Sequence, residues 1–160
     1  MSSNSEIANQ LRVTKKIYTS IFTGLLIFLI IVIVISQENN ADGGNSLDKV
    51  FTVIVPLFGL LMMVFSKMVY NKMVSGYLSG TDLVEKIMRY RTAKIISWAM
   101  VEAACLFALV ATMLTSNYLY IAVVIFLLGY LFMLKPSKES LIHDLQLNTT
   151  ESNLVLKNYS

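Results

Sequence analysis

Apolar residues along this chain fall into four blocks separated by polar stretches, and the length of each block predicts a membrane-crossing helix. Ile17 to Ser36, IYTSIFTGLLIFLIIVIVIS, holds no charge. Its twenty residues, at about 1.5 Å of rise each, reach about 30 Å, the thickness of a bilayer's hydrocarbon core. Val50 to Tyr70 carries one charge, Lys67, near one end, where a long aliphatic stem lets the ammonium reach the interface. Ile95 to Leu114 is interrupted only by Glu102, and Tyr118 to Leu134 is uncharged and begins with tyrosines suited to an interfacial belt. The first block exceeds the roughly 7 to 15 apolar residues of a signal-peptide core, so it is expected to be retained as a span.

The polar stretches between the blocks differ in pattern. Gln37 to Lys49 has a Gly43-Gly44 turn signal and no apolar periodicity, which predicts a solvated connector. After Gly80, Thr81 or Asp82 can cap a helix. Leu83, Val84, Ile87, Met88 and Tyr90 then fall near one face, with Glu85, Lys86 and Arg89 away from it. No Gly or Pro occurs from Asp82 to Leu114, so the simplest expectation is one long helix continuing into the third span, with a bend at the membrane surface as the alternative. Pro136 breaks the chain after the fourth block, and Ser137 is placed to cap a short amphipathic helix with Leu141, Ile142 and Leu145 on one side. Beyond Asn148 the pattern assigns nothing.

Charge orients this arrangement. Lys and Arg concentrate in short cytoplasmic loops, and twelve of the thirteen lie in the N-terminal segment, in the connection between blocks two and three with its flanks (Lys67 among them), or after block four. Lys49 alone sits in the opposite connections. The expected topology is two helical hairpins with both termini cytoplasmic. A single four-helix domain would cover residues 1–135, with spans near 17–36, 50–70, 95–114 and 118–134, and a cytoplasmic juxtamembrane tail would cover 136–160.

Composition agrees: 56% of the 160 residues are hydrophobic and 14% charged, where soluble chains carry about a quarter charged. The net charge of +3 arises from basic residues beside apolar blocks rather than a stripe, so no nucleic acid is expected. Lys86, Arg89, Arg91 and Lys94 form the expected basic membrane-surface set. The single cysteine, Cys105, permits no intramolecular disulfide or thiolate cluster, and the single histidine, His143, has no ligand-spaced partners. No metal, cofactor or small-molecule substrate is identifiable.

Glu102 is the residue whose type needs a physical reason, because a carboxylate within a span costs several kcal/mol unless protonated, paired or hydrated. It reads either as a proton- or cation-handling group or as a hydrogen-bonding acid joining helices, with Ser66 or Lys67 of the second span and Thr19, Ser20 or Thr23 of the first as partners. Trp98, one turn earlier, is placed to shield it or donate to it. Ala99 and Ala103, then Ala104, Ala108 and Thr112, form small-residue rows for close helix packing, as do Ser20 and Gly24 in the first span. Pro56 and Gly59 mark a candidate kink in the second.

The stretch from Tyr90 through Trp98 and Glu102 to Asn117, together with Lys135-Pro-Ser-Lys-Glu-Ser-Leu-Ile-His-Asp144, resembles uncharacterised small four-helix bacterial integral membrane proteins. That resemblance implies an inner (plasma) membrane location and no particular activity. Ala99-Met-Val-Glu102-Ala-Ala and Leu106-Phe-Ala-Leu-Val110 also look like the carboxylate helix of rotary-ATPase proteolipid subunits. Proteolipids have glycine-rich inner helices, whereas the first span here has only Gly24.

Phosphate loops, nucleophile-base sets and paired intramembrane aspartates are missing from the sequence, so no enzyme is expected. The expectation is an all-α polytopic membrane protein acting as a non-catalytic structural or accessory component. Its partners would be the bilayer and either further copies of itself, as a homo-oligomer, or a larger membrane complex. The alternative is a small proton- or cation-coupled channel or transporter subunit centred on Glu102.

Overall fold

The computed structural model describes residues 2–38, 46–75 and 82–158. The described residues form six helices: α1 (Ser2–Glu38), α2 (Ser46–Ser75), α3 (Leu83–Thr115), α4 (Leu119–Met133), α5 (Lys138–Asp144) and α6 (Thr149–Asn158). Among them are three helices long and apolar enough to cross a membrane, Ser5–Ser36, Leu47–Ser75 and Leu83–Thr115. The α4–α5 pair, bent by 72°, makes a fourth if counted as one span. The turn signal at Gly43-Gly44 and the cap at Thr81 lie outside the described residues; Asp82 stands in the N-cap position of α3.

Helix α3 is central, and α1, α2 and α4 all pack on it. It runs unbroken from Leu83 to Thr115, as the lack of Gly and Pro predicts. Helix α2 is likewise continuous through Pro56. Gly59 is buried where α2 faces Leu127 and Val123 of α4, and a Cβ there would sit in ordinary van der Waals contact, 3.5 Å from the Leu127 side chain.

Buried residues on α1 are Ile7, Leu11, Thr14, Tyr18, Leu25, Val32 and Ser36, a spacing near 3.5 residues. A repeat of that period keeps one seam facing a neighbouring helix over many turns. The neighbour is α3, and the two run parallel: Gln10 meets Arg91, and Tyr18 meets Trp98 eight residues further along α1 and seven along α3.

Two apolar cores result. The larger contains Tyr18, Leu25, Val55, Trp98, Val101, Cys105, Leu109, Val124 and Leu127. The smaller joins Ile7 and Leu11 of α1, Leu83, Ile87 and Tyr90 of α3, Leu141 and Leu145 from the α5 region, and Val155 of α6. The segments next to both termini therefore pack together at one end of the bundle, and the α3–α4 turn lies at the other. Around the larger core the exterior is apolar, with Ile30, Val53, Val64, Phe126 and Phe132 each about 60% exposed or more. An apolar girdle of that extent is what a bilayer covers and water does not.

Ser137 caps α5 as its sequence position predicts, accepting from the Ser140 amide at 3.1 Å. Helix α6 has no counterpart among the sequence expectations. It opens on a capping box in which Asn148 Oδ1 accepts from the Glu151 amide at 2.8 Å, and the Asn148 amide donates to Glu151 Oε2 at 3.0 Å.

Candidate functional site

Polar side chains gather in two belts on either side of the larger core. At the turn end, the Asp48 carboxylate, in the first turn of α2, accepts from Asn117 Nδ2 at 2.9 Å and from the Tyr120 hydroxyl at 2.6 Å. The Tyr120 oxygen also lies 3.2 Å from the Thr52 hydroxyl. Asn117 Oδ1 in turn accepts from the Leu119 amide at 2.9 Å, organising the start of α4, while Ser116 takes the left-handed conformation that ends α3. One carboxylate thus ties the beginning of α2 to the α3–α4 turn.

At the terminal end, Trp98 Nε1 donates to the Leu134 carbonyl at 3.2 Å, and the Tyr18 hydroxyl donates to the Leu131 carbonyl at 3.2 Å. The Leu131 carbonyl also accepts from the amide of Leu134, the C-cap of α4, at 3.1 Å. Two side chains from different helices thus add bonds to carbonyls at the C-terminal end of α4. From Trp98 to Thr115 along α3 is about 26 Å, close to the thickness of a hydrocarbon core.

Beyond that belt lies a second polar group. The Tyr70 hydroxyl donates to Asp144, which also accepts from the Ser140 hydroxyl at 2.9 Å. The Lys94 ammonium sits 4.4 Å from the centroid of the Tyr70 ring and 5.4 Å from that of Tyr90. Lys86 Nζ pairs with Glu151 Oε1 at 2.8 Å, with side chains 12% and 18% exposed. Burial pushes the Glu151 carboxyl upward. The bond from Lys86, the Asn148 amide and the Lys86 charge outweigh it and hold the group below its ordinary value.

Of the four basic residues expected at a membrane surface, Lys86, Arg91 and Lys94 turn toward other helices, while Arg89 stays at the surface in a pair within its own helix. Lys94 is buried, Lys86 pairs with Glu151, Arg89 pairs with Glu85 at 2.7 Å, and Arg91 donates to Gln10. The apolar face of their helix explains this, because Leu83, Ile87 and Tyr90 are consumed by the terminal core and bring Lys86, Arg91 and Lys94 toward it, with Arg89 on the outer side. The small-residue rows divide as well. Ala104, Ala108 and Thr112 are buried, whereas Ala99, Ala103, Ser20 and Gly24 face outward, and nothing approaches the Cβ position of Gly24 within 4 Å.

Glu102 is half-buried and, among the described residues, makes no hydrogen bond or ion pair. Its proposed partners are placed elsewhere. Ser66 bonds to Ser97, with hydroxyl oxygens 2.6 Å apart, Lys67 is exposed, and Thr19, Ser20 and Thr23 lie on the outer side of α1. Trp98 directs its N–H to α4 rather than to the carboxyl. At 100° per residue Glu102 stands about 40° around α3 from Trp98, between the buried stripe and the exposed face that carries Ala99 and Ala103. Its surroundings are therefore the edge of the bundle, not its interior.

The interior between the belts is almost wholly apolar. Thr112 is buried there, but its hydroxyl bonds the Ala108 carbonyl one turn back at 2.9 Å. No group of three or more metal-ligating side chains occurs among the described residues. Comparison with known protein families, with curated proteins and with solved structures finds no match to the chain.

Proposed function

We propose that this chain is a four-span integral membrane protein with both termini in the cytoplasm, and that it works as a non-catalytic structural subunit assembling within the bilayer with further copies of itself or with a larger membrane complex. The observation that carries the reading is the position of Glu102 at the edge of the α1–α3 seam. A pathway for ions through one chain would require polar groups in the core between the belts, and that core is filled by Trp98, Val101, Cys105, Leu109, Val124 and Leu127. A carboxyl at the rim, beside the outward-facing Ala99 and Ala103, is instead available to a neighbouring helix. The small alanines let such a helix come close, and the acid then acquires a hydrogen-bond partner that a lone chain does not supply.

The topology has two supports. The distribution of basic residues favours the terminal end as the cytoplasmic one, and the packing of Ile7 and Leu11 with Leu141, Leu145 and Val155 brings both terminal segments to that end. Both support an even number of crossings, with α4 as the fourth.

Oxidative cross-linking in native membranes tests the assembly. Ala103→Cys should yield a covalent dimer, whereas Val64→Cys, on the exposed side of α2, should not; buried native Cys105 provides the background. Equal cross-linking at both positions removes the proposed interface, and cross-linking at neither removes self-association and leaves a different partner on that face.

A second reading, a subunit of a proton- or cation-coupled channel or transporter, draws on the same lack of a fixed partner for Glu102. In that case the pathway would form between copies. Acidification of liposomes containing the purified protein, abolished by Glu102→Gln with folding intact, would favour it over the structural role.

A further inference from the structure

A cleft of about 290 Å³ opens between α1 and the end of α4, lined by Lys15, Tyr18, Phe22, Phe132, Lys135 and Pro136. Its chemistry is graded. The apolar end is an aromatic wall, with Tyr18 and Phe22 stacked at 6.0 Å and Phe22 and Phe132 at 6.2 Å between ring centroids. The polar end carries two lysines from different helices. The last carbonyls of α4 would normally place negative partial charge beside this spot. Tyr18 and Trp98 donate to two of them, at Leu131 and Leu134, which offsets that negative charge beside the lysines.

We infer that this cleft binds an anionic phospholipid, its phosphate between Lys15 and Lys135 and the upper part of one acyl chain along Phe22 and Phe132. The inference rests on the membrane-spanning reading above. On that reading the cleft lies at the cytoplasmic boundary of the hydrocarbon layer, level with Trp98 and Tyr18. An ammonium pair above an aromatic wall matches the order of charge and hydrocarbon in an inward-leaflet lipid, and a zwitterionic headgroup gains less from the pair because its own cation opposes it. The two lysines are contributed by α1 and by the segment after α4, so the lipid would also brace the junction between the first and last spans.

Trp98 is the only tryptophan, and its ring lies 5.2 Å from that of Tyr18, which makes it a built-in reporter. The full-length protein is reconstituted in phosphatidylcholine liposomes containing equal small fractions of acyl-brominated phosphatidylglycerol or acyl-brominated phosphatidylcholine, and quenching of Trp98 is followed. Half-quenching should occur at a lower fraction of the glycerol lipid, by about fivefold for each lysine engaged. Lys15→Gln with Lys135→Gln should bring the two lipids together while circular dichroism shows unchanged helicity. Arg12→Gln with Lys16→Gln should keep the preference; its loss in that pair would mean diffuse surface charge and overturn the cleft. Equal quenching of the wild type by both lipids overturns it too, leaving the spanning reading intact. Protein that does not float with the liposomes overturns the spanning reading itself.

Discussion

Ser66 of α2 and Ser97 of α3 bring their hydroxyl oxygens to 2.6 Å in a fully buried contact, and Ser66 Oγ also lies 3.1 Å from the Ser97 carbonyl oxygen. The pair lies one residue before Trp98, at the level where the polar belt closes the larger core. Small hydroxyl side chains allow α2 and α3 to approach closely while hydrogen-bonding each other, which suits helix contact where no water competes.

Ser66→Ala and Ser97→Ala should each lower stability in detergent by about 1 kcal/mol, and the double variant should recover about 0.6 kcal/mol of the summed loss as coupling. Unfolding by denaturing detergent measures all three. Strict additivity would mean that the two hydroxyls act independently.

The tie at the turn end makes a separate prediction. Tyr120 is buried, and its hydroxyl donates to Asp48 and contacts Thr52. Tyr120→Phe keeps the ring and should cost about 1 kcal/mol, with faster amide exchange confined to residues 115–119. An unchanged exchange pattern there would show that the tie does not hold the turn.

How far these contacts were legible beforehand depends on their range. Local signals read well: Ser137 caps α5, and the stretch from Leu83 to Thr115, free of Gly and Pro, is one helix. Two weaker local signals lie mostly outside the apolar blocks. Asn148 and Glu151 have the spacing of a capping box, and Ile7, Leu11, Thr14 and Tyr18 have a 3.5-residue rhythm that extends α1 to Ser2. The partner of Ser66 was not legible at all, because Ser97 is 31 residues away and many polar groups of the spans were equally plausible. Glu102 was identified by its residue type alone; its place at the edge rather than the interior depends on how α1 and α3 share a seam, which periodicity in α3 does not reveal.

Acid should release α6. The Glu151 carboxyl is held below its ordinary value, so its contribution to docking is fully present above the unfolded-state value and is lost as pH falls through the lower folded-state value. A fluorophore on Asn158→Cys should lose anisotropy as pH drops below the ordinary glutamate range. Glu151→Gln should show lower anisotropy at neutral pH and no transition in that window; the same acid midpoint in both proteins would assign the release to another group.

The proposed topology is open to direct measurement in cells. Reporters fused at Met1 and Ser160 should both signal cytoplasm, and one inserted at Gly43 should signal the opposite side. A terminus on the outside would rule out four crossings with a shared cytoplasmic end.

Glu102 separates the structural reading from the proton-handling one, because its half-buried carboxyl has no hydrogen-bond partner among the described residues. If a neighbouring chain supplies that partner, Glu102→Gln keeps a donor and nearly the same shape, so association should weaken by about 1 kcal/mol or less. Glu102→Leu keeps the bulk and removes the polar group. Association should then weaken by about 1 to 2 kcal/mol, while the stability of the single chain holds or rises, since no internal bond is lost and a polar group leaves an apolar setting. That opposition between assembly and chain stability is the signature of an interface residue. Oligomer mass by light scattering and thermal unfolding, both in detergent, read the two quantities separately for wild type, Gln and Leu. Loss of chain stability in the Leu variant would place Glu102 in the internal packing after all, and a stable, assembled Gln variant without cellular function would move the assignment to proton transfer.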